Sequence, residues 1–154
     1  MDVVALLAGP PDDGLHPRVP RRPRRPDFED GTWRMYQYEV RRAQEFKRCI
    51  ECFLCQDVCH VLRTHGKHDG FMGPAFLVRA AAYETHPLDV QDRVDYVKDE
   101  GGIGFCNITY CCTEVCPESI RITVNAIIPL KERVVDRHYD PLRRLVQLVR
   151  RRKP

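Results

Sequence analysis

Four cysteines stand close together in the stretch Cys49-Ile-Glu-Cys-Phe-Leu-Cys-Gln-Asp-Val-Cys59, which we call the first run. Their spacing, C-x2-C-x2-C-x3-C, is typical of chains that hold a cubic iron–sulfur cluster. Gaps of two residues let the backbone wrap three corners of a compact inorganic core, while the fourth thiolate points away toward a second cluster. Zinc sites instead divide their ligands into two separated pairs. The first run therefore predicts iron–sulfur chemistry.

A second run, "CNITYCCTEVCP" at residues 106–117, repeats this pattern with one change. On the template of the first run, Cys106 takes the first ligand position, Cys112 the third and Cys116 the fourth. The second position falls on Thr109, whose hydroxyl is a poor ligand for iron. We therefore expect the second run to supply one thiolate fewer than the first.

Paired clusters of this type exchange their fourth ligands, so that each run completes the cluster of the other. The expected ligands of a [4Fe–4S] cluster are Cys49, Cys52, Cys55 and Cys116. The expected ligands of the other cluster are Cys59, Cys106 and Cys112. Three thiolates predict a [3Fe–4S] cluster, in which one corner of the cube is missing. Cys111 is a candidate extra ligand that would restore a cube, and the alternative is a thiol that binds no iron.

The chain has 154 residues, a formal net charge of +3 and eight cysteines. No stretch reaches the about 20 consecutive apolar residues that a membrane-spanning helix needs, and no secretory leader is recognisable. We therefore expect a cytosolic chain, in which clustered cysteines bind metal rather than form disulfides. Basic blocks at residues 18–25 and 131–154 predict solvated tails, with docking to an acidic partner or to anionic lipid as the alternative.

Apolar periodicity predicts helices around both runs, and no strand pattern competes with it. A helical face leads into the first run, and a weaker helical pattern ends at residues 101–102. The residues of these two patterns are Tyr36, Val40, Ala43 and Phe46, and Val90, Val94 and Val97. Between them, Gly73-Pro74 predicts the start of a helix that ends before Pro87.

Two further helices are expected after the second run. Residues 119–137 predict a helix with a kink or break near Pro129. Asp140-Pro141 predicts the start of a last helix, whose apolar stripe is Leu142, Leu145, Val146 and Val149. The predicted fold class is all-α with the two runs in loops. An irregular Pro/Arg-rich arm is expected at residues 1–31, ahead of a single domain at residues 32–154.

From about Met35 to Lys153 the chain resembles the C-terminal half of the iron–sulfur subunit of succinate dehydrogenase and fumarate reductase. The resemblance is carried by "FKRCIECFLCQDVC", "GFMGPAFL" and "CNITYCCTEVCP". The segment "NAIIPLKERVVDRHYDP" is most similar to the actinobacterial branch. This resemblance implies an α-helical ferredoxin fold that carries one [4Fe–4S] and one [3Fe–4S] cluster.

The resemblance also implies partners. They are a flavoprotein that oxidises succinate or reduces fumarate, and a membrane anchor that holds quinone. The implied location is cytoplasmic, as a peripheral subunit on the inner face of the cell membrane. The chain is expected to relay electrons without chemistry on the carboxylic acid, because it offers no nucleophile–base pair and no phosphate-binding loop. No nucleic-acid partner is expected.

Three departures from the family pattern stand out. Family members begin with a [2Fe–2S] domain, but no cysteine precedes Cys49, so we expect a separate [2Fe–2S] module, a truncated reading frame or a real absence. His60 stands where many members have proline, and it is expected either to hydrogen-bond a cluster sulfur or simply to pack. Thr64 and Asn107 lie near the places of a quinone-site tryptophan and histidine, whereas the lone tryptophan, Trp33, lies upstream.

Three other interpretations remain open at this point. Dicluster subunits also serve heterodisulfide reductase, glycolate oxidase and anaerobic glycerol-3-phosphate dehydrogenase, but these tend to have two complete cysteine runs, which Thr109 breaks. An interaction module that binds zinc, with nucleic acid on its Arg-rich ends, is an alternative from another class. A gene fragment that never assembles is the last. Co-purification and metal analysis separate these interpretations.

Overall fold

The computed structural model of the protein describes residue 29 and residues 31–140. Within this part the chain is helical and contains no strand, which confirms the predicted all-α fold class. The helices are α1 (Gln37–Lys47), α2 (Leu54–Asp57), α3 (His60–Arg63), α4 (Pro74–Glu84), α5 (Val94–Asp99), α6 (Cys111–Glu114) and α7 (Ile128–His138). A 3-10 turn, Ile103–Phe105, precedes the second run, and a π-helical turn, Ile122–Ile127, leads directly into α7.

The two cysteine runs are not plain loops, which corrects the sequence-based expectation. Each run contains a single helical turn, α2 in the first and α6 in the second. Both turns lie at the third ligand position of the C-x2-C-x2-C-x3-C template. A single turn is too short to be recognised from apolar periodicity, which needs a window of about 11 residues or more.

The helix that leads into the first run forms where the apolar face predicted it. Ala43 and Phe46 on α1 are buried against α4. Tyr36 is the exception, because it precedes the first helical residue as the N-cap and is 52% exposed. The buried face of α1 therefore holds the beginning of the first run against the core.

Helix α4 begins at Pro74, as the Gly73-Pro74 pair predicts. Gly73 has a φ of +83°, and a Cβ at this position would overlap the side chain of Gln56. Gln56, in the first run, donates from Nε2 to the Met72 carbonyl at 2.8 Å and accepts from the Ala75 N–H at 3.2 Å. The close approach that glycine permits thus joins the first run to the start of α4.

The predicted break near Pro129 takes the form of a change in helix type. The backbone is π-helical through Ile127 and α-helical from Ile128, so that Pro129 lies in the first turn of α7. Proline is accommodated there because the first N–H groups of an α-helix have no partner within the helix. Thr123 and Ala126 on the π-helical turn are buried, so this turn belongs to the core.

A buried ion-pair network joins α4, α5 and α7. The Glu84 carboxylate, which is fully buried, accepts from the backbone N–H of Arg93 at 2.9 Å and from Arg133 at 2.6 Å. Arg133 also donates to the Glu84 carbonyl at 3.0 Å. A buried carboxylate is tolerated when its hydrogen bonds are satisfied, as they are here. The network ties the segment between α4 and α5 to the last described helix.

Leu77, on α4, is fully buried, and α4 packs against both α1 and the π-helical turn. We expect Leu77→Ala to lower the free energy of unfolding by about 2–5 kcal/mol, because it removes buried methyl groups and leaves a cavity. Urea unfolding of the anaerobically purified protein measures the change. Val135→Ala, at a site that is 53% exposed, is the control and should change it by less than about 0.5 kcal/mol. Equal losses in both variants would contradict this assignment of the core.

Three sequence-based predictions fall on residues that the structure does not describe. They are the Pro/Arg-rich arm through residue 28, the last helix with its stripe from Leu142 to Val149, and most of the second basic block. Among the described residues, no helix is long and apolar enough to cross a bilayer.

Candidate iron–sulfur sites

Four of the predicted ligands surround one cavity, which we call the first cavity. Cys49, Cys52, Cys55 and Cys116 line it, and its volume is about 150 Å³. The first run and the segment that follows Cys116 form its walls, together with α4. The four sulfurs thus come from two segments far apart in sequence, as the exchange of fourth ligands requires. Their number and chemistry fit a four-iron cluster.

The other predicted ligands line a second cavity. Cys59, Cys106 and Cys112 stand around it, together with Thr109 and Cys111. Its cavity volume is about 10 Å³, smaller than that of the first cavity. The three thiols are the kind of donor that an iron–sulfur cluster needs. Within residues 31–140, no three His, Cys, Asp or Glu side chains are arranged to hold a single metal ion.

The two runs share one backbone conformation, which relates their residues independently of the cysteines. Left-handed φ angles occur at Glu51 (57°) and Phe53 (60°) in the first run and at Ile108 (58°) and Tyr110 (64°) in the second. In each run the second of these residues caps the single helical turn. A non-glycine residue in this region costs roughly 1–2 kcal/mol, and such strain collects at functional sites. When these left-handed residues are superposed, Thr109 corresponds to Cys52, and Cys111 corresponds to Leu54.

This correspondence bears on the extra cysteine. Leu54 occupies a position in the first run where no ligand is predicted, and it is 42% exposed. Cys111, its equivalent, is within 3.3 Å of the Thr109 hydroxyl. The adjacent Cys112 is buried, with its sulfur 3.5 Å from the Thr123 hydroxyl. The backbone therefore favours Cys112 over Cys111 at the third ligand position.

Two thiols of the first cavity, Cys49 and Cys55, have raised pKa values. Burial, together with the neighbouring Cys112 and Cys49 thiols, raises the pKa of Cys55 to about 12. Burial also raises the pKa of Cys49, although the Arg79 guanidinium opposes the shift. Iron ligation needs thiolates, so metal binding must displace protons from these groups. Arg79 also pairs with Glu51 across the mouth of the cavity.

A lysine contacts the backbone of Cys106, one of the residues that line the second cavity. Lys131, on α7, donates from Nζ to the Cys106 carbonyl at 2.6 Å. Burial raises the pKa of the Cys106 thiol, while the backbone N–H of Ile108 and the charge of Lys131 lower it. Burial likewise raises the pKa of Cys112, whereas the hydrogen bond with Thr123 lowers it. These groups stabilise negative charge on the sulfurs of this cavity.

Sequence reasoning missed Lys131 and Arg79, because both meet the cysteines only through the fold. Lys131 lies 25 residues from Cys106, and no motif joins the two. His60, which follows Cys59, packs edge-on against His65 with ring centroids 4.8 Å apart. Thr64 and Asn107, at the places where the family's quinone-site residues were expected, are both exposed.

Comparison with known families adds to this geometry. The family model described as "4Fe-4S dicluster domain" matches residues 45–120, a range that contains both runs. Over these residues the chain is similar to that family. This similarity supports iron–sulfur clusters as the cofactors of the chain. It does not distinguish a three-iron from a four-iron cluster at the second cavity.

Curated sequence relatives include iron-sulfur subunits of two enzymes. The dicluster domain and its surroundings are 29% identical over 105 residues to the succinate dehydrogenase iron-sulfur subunit of Bacillus subtilis, covering 62% of this chain and 40% of that protein. They are 27% identical over 94 residues to the fumarate reductase iron-sulfur subunit of Escherichia coli O6:H1, covering 60% of this chain and 37% of that protein. The resemblance to this group of subunits is thereby confirmed.

A solved structure agrees in fold. One chain of the Mycobacterium smegmatis Sdh1 complex in the apo form matches with 54% identity and a TM-score of 0.69. The match covers 82% of this chain and 52% of that one. The chain thus spans about half or less of the relatives' lengths.

Proposed function

We propose that this chain is an iron–sulfur electron-transfer subunit of a succinate dehydrogenase or fumarate reductase. The observation that carries the proposal is the crossed arrangement of the cysteines, in which Cys116 of the second run joins the first cavity and Cys59 of the first run joins the second. Relatives named as iron-sulfur subunits of both enzymes support it. When bound, the two clusters supply one-electron transfer, and this chain contributes no chemistry on the carboxylic acid.

The proposed ligands follow from the two cavities. Cys49, Cys52, Cys55 and Cys116 hold a [4Fe–4S] cluster, and Cys59, Cys106 and Cys112 hold a [3Fe–4S] cluster. The matched backbone of the two runs supports this division, because it equates Thr109 with a ligand position and Cys111 with a position that has no ligand. Dicluster subunits of other oxidoreductases are disfavoured by the same threonine, since it leaves the second run incomplete.

Partners and location are part of the proposal. A subunit of this kind receives electrons from a flavoprotein and delivers them to quinone held by a membrane anchor. A separate [2Fe–2S] module completes the path if no other part of the protein provides it. The proposed location is the cytoplasmic side of the cell membrane, as a peripheral subunit. We further propose residues 32–154 as the dicluster domain and residues 1–31 as an arm.

Metal analysis tests the proposal directly. We expect about seven irons per chain after anaerobic purification, with matching acid-labile sulfide, and an EPR signal from the oxidised protein. Two complete cubes would give about eight irons and an oxidised protein without an EPR signal. That outcome would reject the three-thiolate site and favour other dicluster oxidoreductases. Zinc in place of iron would reject the electron-transfer function altogether.

Lys131 provides a test that is specific to the second cavity. We expect Lys131→Met to lower the reduction potential of the cluster there by about 1 kcal/mol, roughly 40 mV for one electron, because a positive charge beside the ligands is lost. EPR-monitored redox titration measures both clusters in one experiment. Lys131→Arg keeps the charge and should retain most of the potential, and the first cluster should not change. Equal shifts at both clusters would contradict a local effect of Lys131.

A further inference from the structure

A shallow basic groove lies beside the first cavity, between α1 and the segment after Cys116. Its lining residues are Arg41, Gln44, Glu45, Arg48, Ser119 and Arg121, and they enclose about 400 Å³ of largely open space. Three guanidinium groups therefore border the groove with a single carboxylate. We call this surface the basic groove.

The one carboxylate of the basic groove is engaged by groups of the fold. Glu45 accepts from the backbone N–H of Arg121 at 2.9 Å and from the Asn125 amide at 2.5 Å. The Arg121 side chain is 68% exposed, with its Nε 4.0 Å from Glu45. Among residues 31–140, the side chains of Arg41 and Arg48 form no ion pair, and both residues are exposed. The groove thus presents positive charge that the described part of the chain does not neutralise.

The basic groove adjoins the first cysteine set directly. Arg48 precedes Cys49 in the chain. After Cys116, the residues alternate between the two surfaces: Ser119 and Arg121 line the groove, while Glu118, Ile120 and Ile122 line the first cavity. Ile50, on the cavity's rim, is 62% exposed. A molecule bound in the groove would therefore stand beside the first cavity and meet both charge and apolar surface.

We propose that the basic groove docks an acidic face of the protein that exchanges electrons with the first cysteine set. The guanidinium forks of Arg41 and Arg48 suit carboxylates, and complementary charge steers two proteins into register. A small anion is a poorer fit, because the groove is broad and contains the Glu45 carboxylate. The proposal rests on the proposed electron-transfer function, and its test separates the two.

The test follows electron transfer into the full-length, iron-loaded chain. The probe is a reduced plant-type [2Fe–2S] ferredoxin, an acidic one-electron donor, mixed with the oxidised protein at low salt in a stopped-flow instrument. We expect Arg41→Glu and Arg48→Glu to slow cluster reduction roughly tenfold, because each removes the steering charge. Arg42→Glu, on the same helix but outside the groove lining, is the matched control and should change the rate less than about twofold.

Salt and a second reductant complete the test. The difference between the variants and the control should disappear at about 1 M salt, where charges more than a few ångströms apart are screened. A small neutral reductant, photoreduced deazariboflavin, should reduce every variant at the same rate. If deazariboflavin reduces the clusters but Arg48→Glu leaves the rate of reduction by ferredoxin unchanged, the docking proposal alone is overturned. A wild-type chain without reducible iron overturns the proposed function and this proposal with it.

Other occupants of the basic groove give distinct results. If phosphate slows cluster reduction by ferredoxin more than chloride does at equal ionic strength, the groove is a small-anion site and the proposal is overturned. Vesicles that contain phosphatidylglycerol are a second competitor. If they slow the reduction of the wild-type chain by ferredoxin but not that of Arg48→Glu, the groove binds a lipid surface, and the proposal is overturned as well. If the Arg42→Glu control loses as much of the ferredoxin reduction rate as the groove variants do, the effect is one of net charge in general, and the proposal is again overturned.

Discussion

Replacing Cys52 with serine is expected to lower the iron content from about seven to about six per chain or fewer, because the first cavity then offers only the three thiolates of a three-iron cluster. Cys52 is the most accessible thiol of the first cavity. It stands between Glu51 and Phe53, two residues whose left-handed backbone turns the loop around the cavity. The serine hydroxyl is nearly isosteric with the thiol, so the change tests ligation rather than packing.

The damage to the four-iron cluster is expected to weaken the fold as well. Metal binding and folding are coupled in small metal-binding domains, because the free energy of ligation is available only to the folded chain. The first cavity lies between the first run and the segment around Cys116, so its cluster joins parts of the chain about 60 residues apart. Circular dichroism during thermal unfolding should therefore show a lower melting temperature for Cys52→Ser.

Cys111→Ser is the matched control for Cys52→Ser. It removes a cysteine of the same chain from a position that the backbone equates with Leu54. Iron, sulfide and the EPR spectrum should stay at their wild-type values in this variant. A Cys52→Ser protein that retains all its iron would refute the ligand assignment. A Cys111→Ser protein that loses iron would show that Cys111 completes a second cube.

Thr109→Cys is expected to convert the three-iron cluster into a cube and to raise the iron content from about seven to about eight per chain. The reason is structural: the left-handed residues on either side of Thr109 match those on either side of Cys52 in the first run. A thiol at Thr109 would therefore occupy the missing ligand position. The EPR signal of the oxidised protein should disappear, since an oxidised four-iron cube with four thiolates is diamagnetic.

Two further variants make the Thr109→Cys experiment decisive. Thr109→Ser keeps the hydroxyl and should leave the iron content and the spectrum unchanged. The double variant Thr109→Cys with Cys111→Ser should still form the cube, which shows that the new thiol and not Cys111 supplies the fourth ligand. An unchanged oxidised spectrum in Thr109→Cys would mean that our alignment of the second run with the first is wrong.

Much of this protein could be predicted from local patterns alone. The spacing of the first run predicts iron–sulfur chemistry, because the reach of two-residue gaps is a property of the backbone itself. Gly73-Pro74 predicts the start of α4 correctly, since glycine permits the left-handed turn and proline suits the first helical residue. The face of Ala43 and Phe46 on α1 was predicted for the same kind of local reason.

Other features depend on contacts between distant segments, and they could not be predicted. The single turns α2 and α6 are too short to have a period, and the π-helical turn before Pro129 depends on how Thr123 and Ala126 pack. Tyr36 fits the apolar pattern but lies at the exposed end of α1. Local periodicity cannot distinguish the end of a helix from its buried face.

The sequence by itself determined the iron–sulfur type of cofactor and the all-α class, because these depend on residue type and spacing. Only the tertiary structure decided what surrounds the cysteines. It brings Lys131 to Cys106 across 25 residues, and Glu45 to Arg121 and Asn125 across 76 and 80 residues. These contacts depend on how whole helices pack together, so local sequence patterns do not predict them. They determine the charge around each cavity, and charge in turn sets the potential and the choice of partner.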